Sequence, residues 1–183
     1  RGARMNLRPL QKPHPPIWIA ANSDPAVRRA ARLGDTWFIN PHASYETIRA
    51  QVTLFREERE RAGKPMPEVL PMIKELYVAE DREKALRECG PYLAQKYKVY
   101  AQWGQDRALP GEESFEVPFE ELAGGRFILG SPEECFEQLR PYAQELGVNY
   151  LVFRMQWPGM PQALVEKNIR LADEALVPEL RKL

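Results

Sequence analysis

The sequence predicts an α/β protein in which parallel strands alternate with helices, and three observations predict it. Short apolar runs recur along the 183 residues, most of them followed by a segment of helical period. Helix-start signals stand directly behind such runs, as in Asn22-Ser23-Asp24-Pro25 and Ser131-Pro132-Glu133-Glu134. The composition, 44% hydrophobic and 28% charged, is that of an ordinary folded domain.

The elements follow in order. Ile17 to Ala21 is a short apolar strand between Pro16 and Asn22. Asp24 is the expected N-cap of the next helix, with Pro25 at its first position. Ala26, Val27, Ala30, Ala31 and Leu33 give that helix its apolar face, and Arg28, Arg29 and Arg32 its solvent face. Gly34 ends it. Trp37 to Ile39 is the second strand, closed by Asn40-Pro41-His42, and Ser44 caps a long helix reaching about Ala62. Val69 to Ala79 reads as the third strand. Asp81 caps a helix through Ala85, Leu86 and Cys89, and an aromatic-rich helical piece, Tyr92 to Trp103, follows. Residues 104–125, rich in Gly, Pro and Glu, form a long irregular excursion of the kind that usually has a function or moves. Ser131 to Glu134 is a capping box that opens a helix to about Leu146. Tyr150 to Met155 is the fourth strand, and Gln162 to Leu180 the final helix.

Strand–helix alternation implies right-handed crossovers between parallel strands. Four such units make half of a (β/α)8 barrel, whose complete form needs ~250 residues. An open four-stranded α/β sheet is the other arrangement, but neither G-x-G-x-x-G nor a Walker A run is present to support it as a nucleotide fold. Residues 1–183 are read as a single domain.

The bulk numbers exclude several classes. The 26 basic and 26 acidic residues cancel, so nothing draws the chain generally to nucleic acid or to an anionic membrane. No apolar run approaches the ~20 residues of a membrane helix. The opening RGARMNLRPLQKPHPP has basic residues without the apolar stretch of a secretory signal. Cys89 and Cys135 form no C-x-x-C and are read as reduced packing residues of a cytoplasmic protein. No cluster of His, Cys and carboxylates has metal-ligand spacing, and no G-x-S-x-G elbow occurs. An N-terminal Arg and a Pro-rich lead running straight into a strand give the expectation that the chain begins within a larger fold.

Three segments, QKPHPPIWIAANSDPAVRRAARLGDTWF, LYVAEDREKAL and RFILGSPEECFEQLRPYAQELGVNYLVFRMQWPGMP, together resemble the C-terminal half of the luciferase-like monooxygenase family. The resemblance runs from about Pro9 to the end of the chain. It implies a TIM barrel with its active site at the C-terminal ends of the strands. Ile17 to Ala21 would be the fifth strand of that barrel and Tyr150 to Met155 the eighth. The first four strands, which in the family supply much of the cofactor pocket and the better-known catalytic groups, would be absent, so no catalytic residue is assigned.

Several residues of this half fall on the active-site edge. Asn22 and Ser23 sit between a strand and a helix start, where free N–H groups and a hydroxyl can receive a phosphate. The resemblance places the phosphate end of the cofactor there. Against this, Asp24 repels a dianion and Pro25 removes a donor. Arg154 and Gln156 alternate with Phe153 and Met155 and should point inward, with Arg154 either paired to Glu75 or touching a ligand. Trp157 and Met160 form either an apolar substrate wall or ordinary loop packing. His42 is a candidate for acid–base work or a solvated loop histidine. His14, at the opposite edge, has no catalytic role.

The resemblance implies, as the leading expectation, a flavin-dependent oxidoreductase, a monooxygenase in which reduced FMN and oxygen act on a small organic substrate and a separate flavin reductase supplies the reduced flavin. Two readings stay open beside it. One is an enzyme using the deazaflavin coenzyme F420 for hydride transfer. The other is a non-catalytic half-barrel, a fragment or assembly module. Four parallel strands cannot close, so the two outer strands are expected to be covered by the absent N-terminal half or by another copy in a homo-oligomer.

Overall fold

Pro15 and Pro16 lead directly into an extended segment, and strand β1 (Trp18–Ala21) begins two residues later. The structure, a computed structural model, describes residue 2, residues 7–111 and residues 113–183. Among the described residues five strands and seven α-helices follow one another as β1, α1 (Asp24–Leu33), β2 (Thr36–Ile39), α2 (Tyr45–Arg61), β3 (Pro71–Val78), α3 (Arg82–Gln102), α4 (Phe119–Ala123), β4 (Ile128–Gly130), α5 (Pro132–Gln144), β5 (Tyr150–Arg154), α6 (Gln162–Leu171) and α7 (Val177–Leu180).

All strand pairings among these elements are parallel. The main sheet runs β1-β2-β3-β5, and β4 extends it by pairing with Leu76 to Val78 at the end of β3. The four expected strands are all present. The fifth, β4, lies inside the segment expected to lead only into the capping box. At three residues it is too short to show a period of two. It persists because β3 continues beyond the last residue of β5 and offers Leu76 to Val78 as partners. Gly130 ends β4 with φ 144°, and a Cβ there would lie 2.5 Å from Oε2 of Glu134, the capping-box residue, so this junction requires glycine.

The sheet is curled. Register places Pro71, Ile73 and Glu75 beside Tyr150, Val152 and Arg154, on one face. On that face the Trp18 ring meets Tyr150 at 5.3 Å and Phe38 at 5.9 Å between centroids. Trp18 therefore reaches across β2 and β3 to a residue of β5, which a flat sheet would hold roughly 14 Å away at about 4.8 Å per strand step. The opposite face is covered by helices and holds the core, with Trp37, Ile39, Met72 and Leu76 fully buried beneath Val27, Ile48, Phe55 and Leu139. The concave face is open: Trp18 is 41% and Tyr150 49% exposed. Among the described residues β1 and β5 each pair with one neighbour only. This is an unclosed half of a parallel barrel, as the βα count implies.

Three boundaries differ from expectation. The N-cap of α1 is Ser23, with Asp24 inside the first turn, because the strand-like backbone extends one residue further. Helix α3 is continuous through Gly90-Pro91, where two pieces were expected. Ala85, Cys89, Leu93 and Tyr97 form one unbroken buried stripe at spacing four, and its burial at about 1.5–3 kcal/mol for a large apolar side chain offsets the ~3 kcal/mol cost of an internal proline. The last helix is interrupted by a wide π-type turn, Ala172–Leu176. Leu33, assigned to the apolar face of α1, is 67% exposed at the helix end. The arginine cluster divides: Arg29 is exposed, whereas Arg28 and Arg32 bond Glu58 of α2 at 3.1 and 2.8 Å. Cys89 and Cys135 are free and buried, and burial pushes both thiols up to about 12.

No helix of the described residues is long and apolar enough to cross a membrane. The described residues also contain no group of three or more His, Cys, Asp or Glu able to hold a metal.

Candidate active site

Glu75 is the centre of the C-terminal edge. It lies on the concave face of β3 opposite Arg154 and is completely buried. An isolated carboxylate there would be prohibitively costly, and four donors converge on it. Lys96 of α3 makes an ion pair with Oε1. Arg154 donates from Nη1 to the same oxygen at 3.3 Å, and the Tyr97 hydroxyl lies at 3.4 Å. The Trp157 indole donates to Oε2 at 2.7 Å. The inward alternation of Arg154 and its pairing with Glu75 are thus as the sequence implied. The pair is not alone, however, and Arg154 is its open member, with a side chain 37% exposed. Burial lowers the Lys96 ammonium to about 8 against the opposing pull of Glu75.

Beside this cluster is a cleft of about 490 Å3 between α3 and the end of β5. Tyr92, Lys96, Tyr100 and Trp103 line it from α3, and Arg154, Gln156, Trp157 and Pro158 from β5 and the loop after it. The spacing 92, 96, 100, 103 is one face of a helix, so this stripe was legible in the aromatic-rich segment, although its destination was not. Gln156 is exposed in the cleft. Trp157 is buried and acts as a wall and as a donor to Glu75. Met160 does not line the cleft. Gly159 at φ 82° and the Met160 N–H to Trp157 carbonyl bond of 3.1 Å close a tight turn that sends Met160 into the core.

His42 is half-buried rather than a freely solvated loop histidine. Its ring packs against Tyr100, Phe115 and Tyr97 at 5.4, 6.0 and 6.1 Å. Burial, and then the charges of Lys96, Arg154, Arg126 and Lys74, lower it to about 4, and its Nδ1 is buried with no hydrogen-bond partner among the described residues. It stands behind Tyr100 as a neutral ring.

The β1–α1 junction is partly committed. The Asn22 carboxamide accepts from Asn40 at 2.7 Å, and its carbonyl accepts from Gln51 at 2.7 Å. Gln51 also bonds the Asp24 carboxylate at 3.1 Å. Asn22 is therefore a structural tie between β1, β2 and α2. The half-buried Ser23 makes no side-chain capping bond, which leaves its hydroxyl available. The backbone N–H groups of Ala26 and Val27 are both bonded to the Ser23 carbonyl, and Pro25 has none. An anion here would find the Ser23 hydroxyl and few backbone donors, close to the Asp24 carboxylate.

The long excursion is strapped down. Glu113 accepts from the Ser44 N–H at 3.2 Å and the Ser44 hydroxyl at 2.9 Å, with Thr47 also donating, and Arg126 donates to it at 2.6 Å. A carboxylate at the start of α2 suits the positive end of that helix. The strap places Phe115 over His42 and closes that side of the edge. Lys74 fastens the same region from below. Fully buried on the helix-covered face of β3, it donates to the carbonyls of Ala43 and Arg126 at 3.3 and 3.2 Å and lies 4.9 Å from the centre of the Tyr142 ring. Burial lowers it to about 7. A larger apolar groove of about 620 Å3 lies away from these charged groups. Leu151 and Phe153 of β5 meet Val177 and Leu180 there, and it marks the incompletely covered outer side of the edge strand.

The family model described as luciferase-like monooxygenase matches residues 1–150. An F420-dependent glucose-6-phosphate dehydrogenase of Kribbella flavida is 29% identical over 171 residues, 91% of this chain and 49% of that protein. The chain thus spans about half the length of this curated relative. Among solved structures, the monooxygenase RslO1 from Streptomyces bottropensis superposes with a TM-score of 0.73 at 23% identity, over 96% of this chain and 51% of that one. The oxygenating constituent of 3,6-diketocamphane monooxygenase from Pseudomonas putida, a type II Baeyer-Villiger enzyme in complex with FMN, gives 0.66 at 14% identity, over 91% and 49%. These two structures support the fold.

Proposed function

The chain belongs to the luciferase-like monooxygenase family, and on that premise we propose that it serves as an oxidoreductase built around a flavin-type cofactor, with a small organic substrate in the cleft between α3 and β5. The observation that carries the reading is the position of that cleft. It lies at the C-terminal end of a parallel half-barrel, where enzymes of this architecture place their chemistry, and it joins an aromatic wall to a buried charged cluster. The lead reading is a monooxygenase using reduced FMN and oxygen, fed by a separate flavin reductase. The second is an F420-dependent hydride-transfer enzyme, favoured by the curated relative, whose coenzyme is F420.

At one edge the residues present would offer such a cofactor a single side-chain hydroxyl. The free Ser23 hydroxyl would receive a phosphate oxygen, with Asn22 holding the loop in place through Asn40 and Gln51. When bound, the cofactor would supply the redox chemistry. This chain's share is to orient and to exclude water. Trp103, Tyr100 and Tyr92 offer an aromatic wall, the Glu113 strap closes the side over His42, and Glu75 fixes Arg154 and Trp157. The open strands β1 and β5 would be covered by an N-terminal barrel half or by another copy of the chain.

The test is titration of the chain with FMN and with F420, each oxidised and reduced, followed by tryptophan fluorescence. Saturable quenching by one and not the other selects the cofactor. In a chain carrying both barrel halves, substrate-dependent oxygen consumption marks the monooxygenase, and oxygen-independent F420 reduction marks the dehydrogenase. No quenching by any of the four forms, in either chain, would refute the reading.

A further inference from the structure

Charge in the cleft is unevenly shared. Glu75 accepts from Lys96, Arg154, Tyr97 and Trp157, which uses its acceptor capacity. Two cations face one carboxylate, and His42 behind them is neutral at pH 7. Lys96 is the buried partner. Arg154 is the exposed one and, among the described residues, gives Glu75 a single bond from Nη1. A guanidinium has five donors in a planar fork, so Arg154, which lines the cleft together with the exposed Gln156, has donors beyond the one given to Glu75. Among the described residues one positive charge thus lines the cleft without a counter-ion of its own. In the same cleft Tyr100 and Trp103 form a tilted pair, 5.9 Å between ring centroids at 33°, and Trp103 is exposed.

We propose that this cleft is selective for a flat aromatic anion, with a carboxylate held by the Arg154 fork and the ring laid on Tyr100 and Trp103. The volume of about 490 Å3 is within the range of small-molecule sites. This rests on reading the cleft as the substrate side of the site, and it narrows the substrate to organic acids with an aromatic body. Glu75 holds the arginine in place, and Gln156 completes the polar end.

Calorimetric titration of the full chain without cofactor tests it, with 2-naphthoate as the probe and 2-naphthamide as its neutral control. Naphthoate should bind more tightly than the amide by roughly tenfold to a hundredfold, the effect of one or two charge-assisted hydrogen bonds. Arg154→Met should abolish that difference, Arg154→Lys should keep part of it, and Trp103→Leu should weaken both ligands alike. Equal affinity for acid and amide overturns the proposal without any variant. A second arm adds FMN. Displacement of naphthoate by FMN, lost in Arg154→Met, would also overturn it, because the anion site would then belong to the cofactor's phosphate. Because the first arm contains no cofactor, selective naphthoate binding without FMN or F420 binding would leave this proposal standing while removing the cofactor reading.

Discussion

Removing Lys96 and removing Arg154 should have very different costs, although both pair with the same oxygen of Glu75. The Lys96 side chain is 7% exposed and Glu75 not at all, so Lys96→Met leaves a buried carboxylate with Trp157, the distant Tyr97 hydroxyl and a weakly bonded arginine. Breaking a buried pair from one side costs about 3–5 kcal/mol, or roughly 6–20 °C in Tm for a chain of this length. Arg154 is partly solvated, and Glu75 keeps Lys96 and Trp157 when it is removed. Solvent screening reduces its value to about 0–1 kcal/mol. Glu75→Gln should match or exceed Lys96→Met, because two cations lose their anion. Urea denaturation read by tryptophan fluorescence gives the three values. The reasoning fails if Arg154→Met costs as much as Lys96→Met, or if Glu75→Gln is neutral.

Three further outcomes are expected. His42 titrates near 4 in the folded chain and near 6.5 unfolded, so between these values the unfolded state binds more protons. Stability should therefore fall as pH drops from about 6.5 to about 4, and His42→Phe should flatten that slope in denaturation midpoints taken across the window. Lys74, at about 7 folded against 10.5 unfolded, should make stability rise as pH increases from about 7 to about 10.5, by the same rule; an unchanged slope in Lys74→Met would exclude it as the source. Ser23→Ala, in a chain carrying both halves, should weaken FMN by roughly tenfold or less, one hydrogen bond to a charged group among several, with no change in thermal midpoint; equal FMN affinity would remove Ser23 from the site.

The sequence carried the parts of this account that depend on period and position. Alternation in Phe153-Arg154-Met155-Gln156 was enough to turn Arg154 inward, and its register with Glu75 follows from two neighbouring parallel strands. The capping box at Ser131 formed as read. What was not legible depends on reach between distant elements. Lys96 meets Glu75 only because α3 crosses the C-terminal edge, and no local pattern encodes that crossing. Ser44 and Glu113 are 69 positions apart, so the strap could not be seen in the irregular excursion. The packing of His42 could not be read locally, because Tyr97, Tyr100 and Phe115, which surround it, lie far along the chain. Of the two readings open for Met160, substrate wall and loop packing, burial favours packing, because Gly159 turns the chain just before it.

The central claim is that ligand and cofactor meet this chain at the C-terminal edge of its half-barrel. Amide hydrogen exchange with and without saturating FMN or F420 tests it most directly. The account predicts added protection at Ser23 and Asp24, along α3 from Lys96 to Trp103, and from Arg154 to Trp157, with none at the opposite edge around Val69 and Leu70. Protection confined to the opposite edge, or to the outer helices, would contradict it.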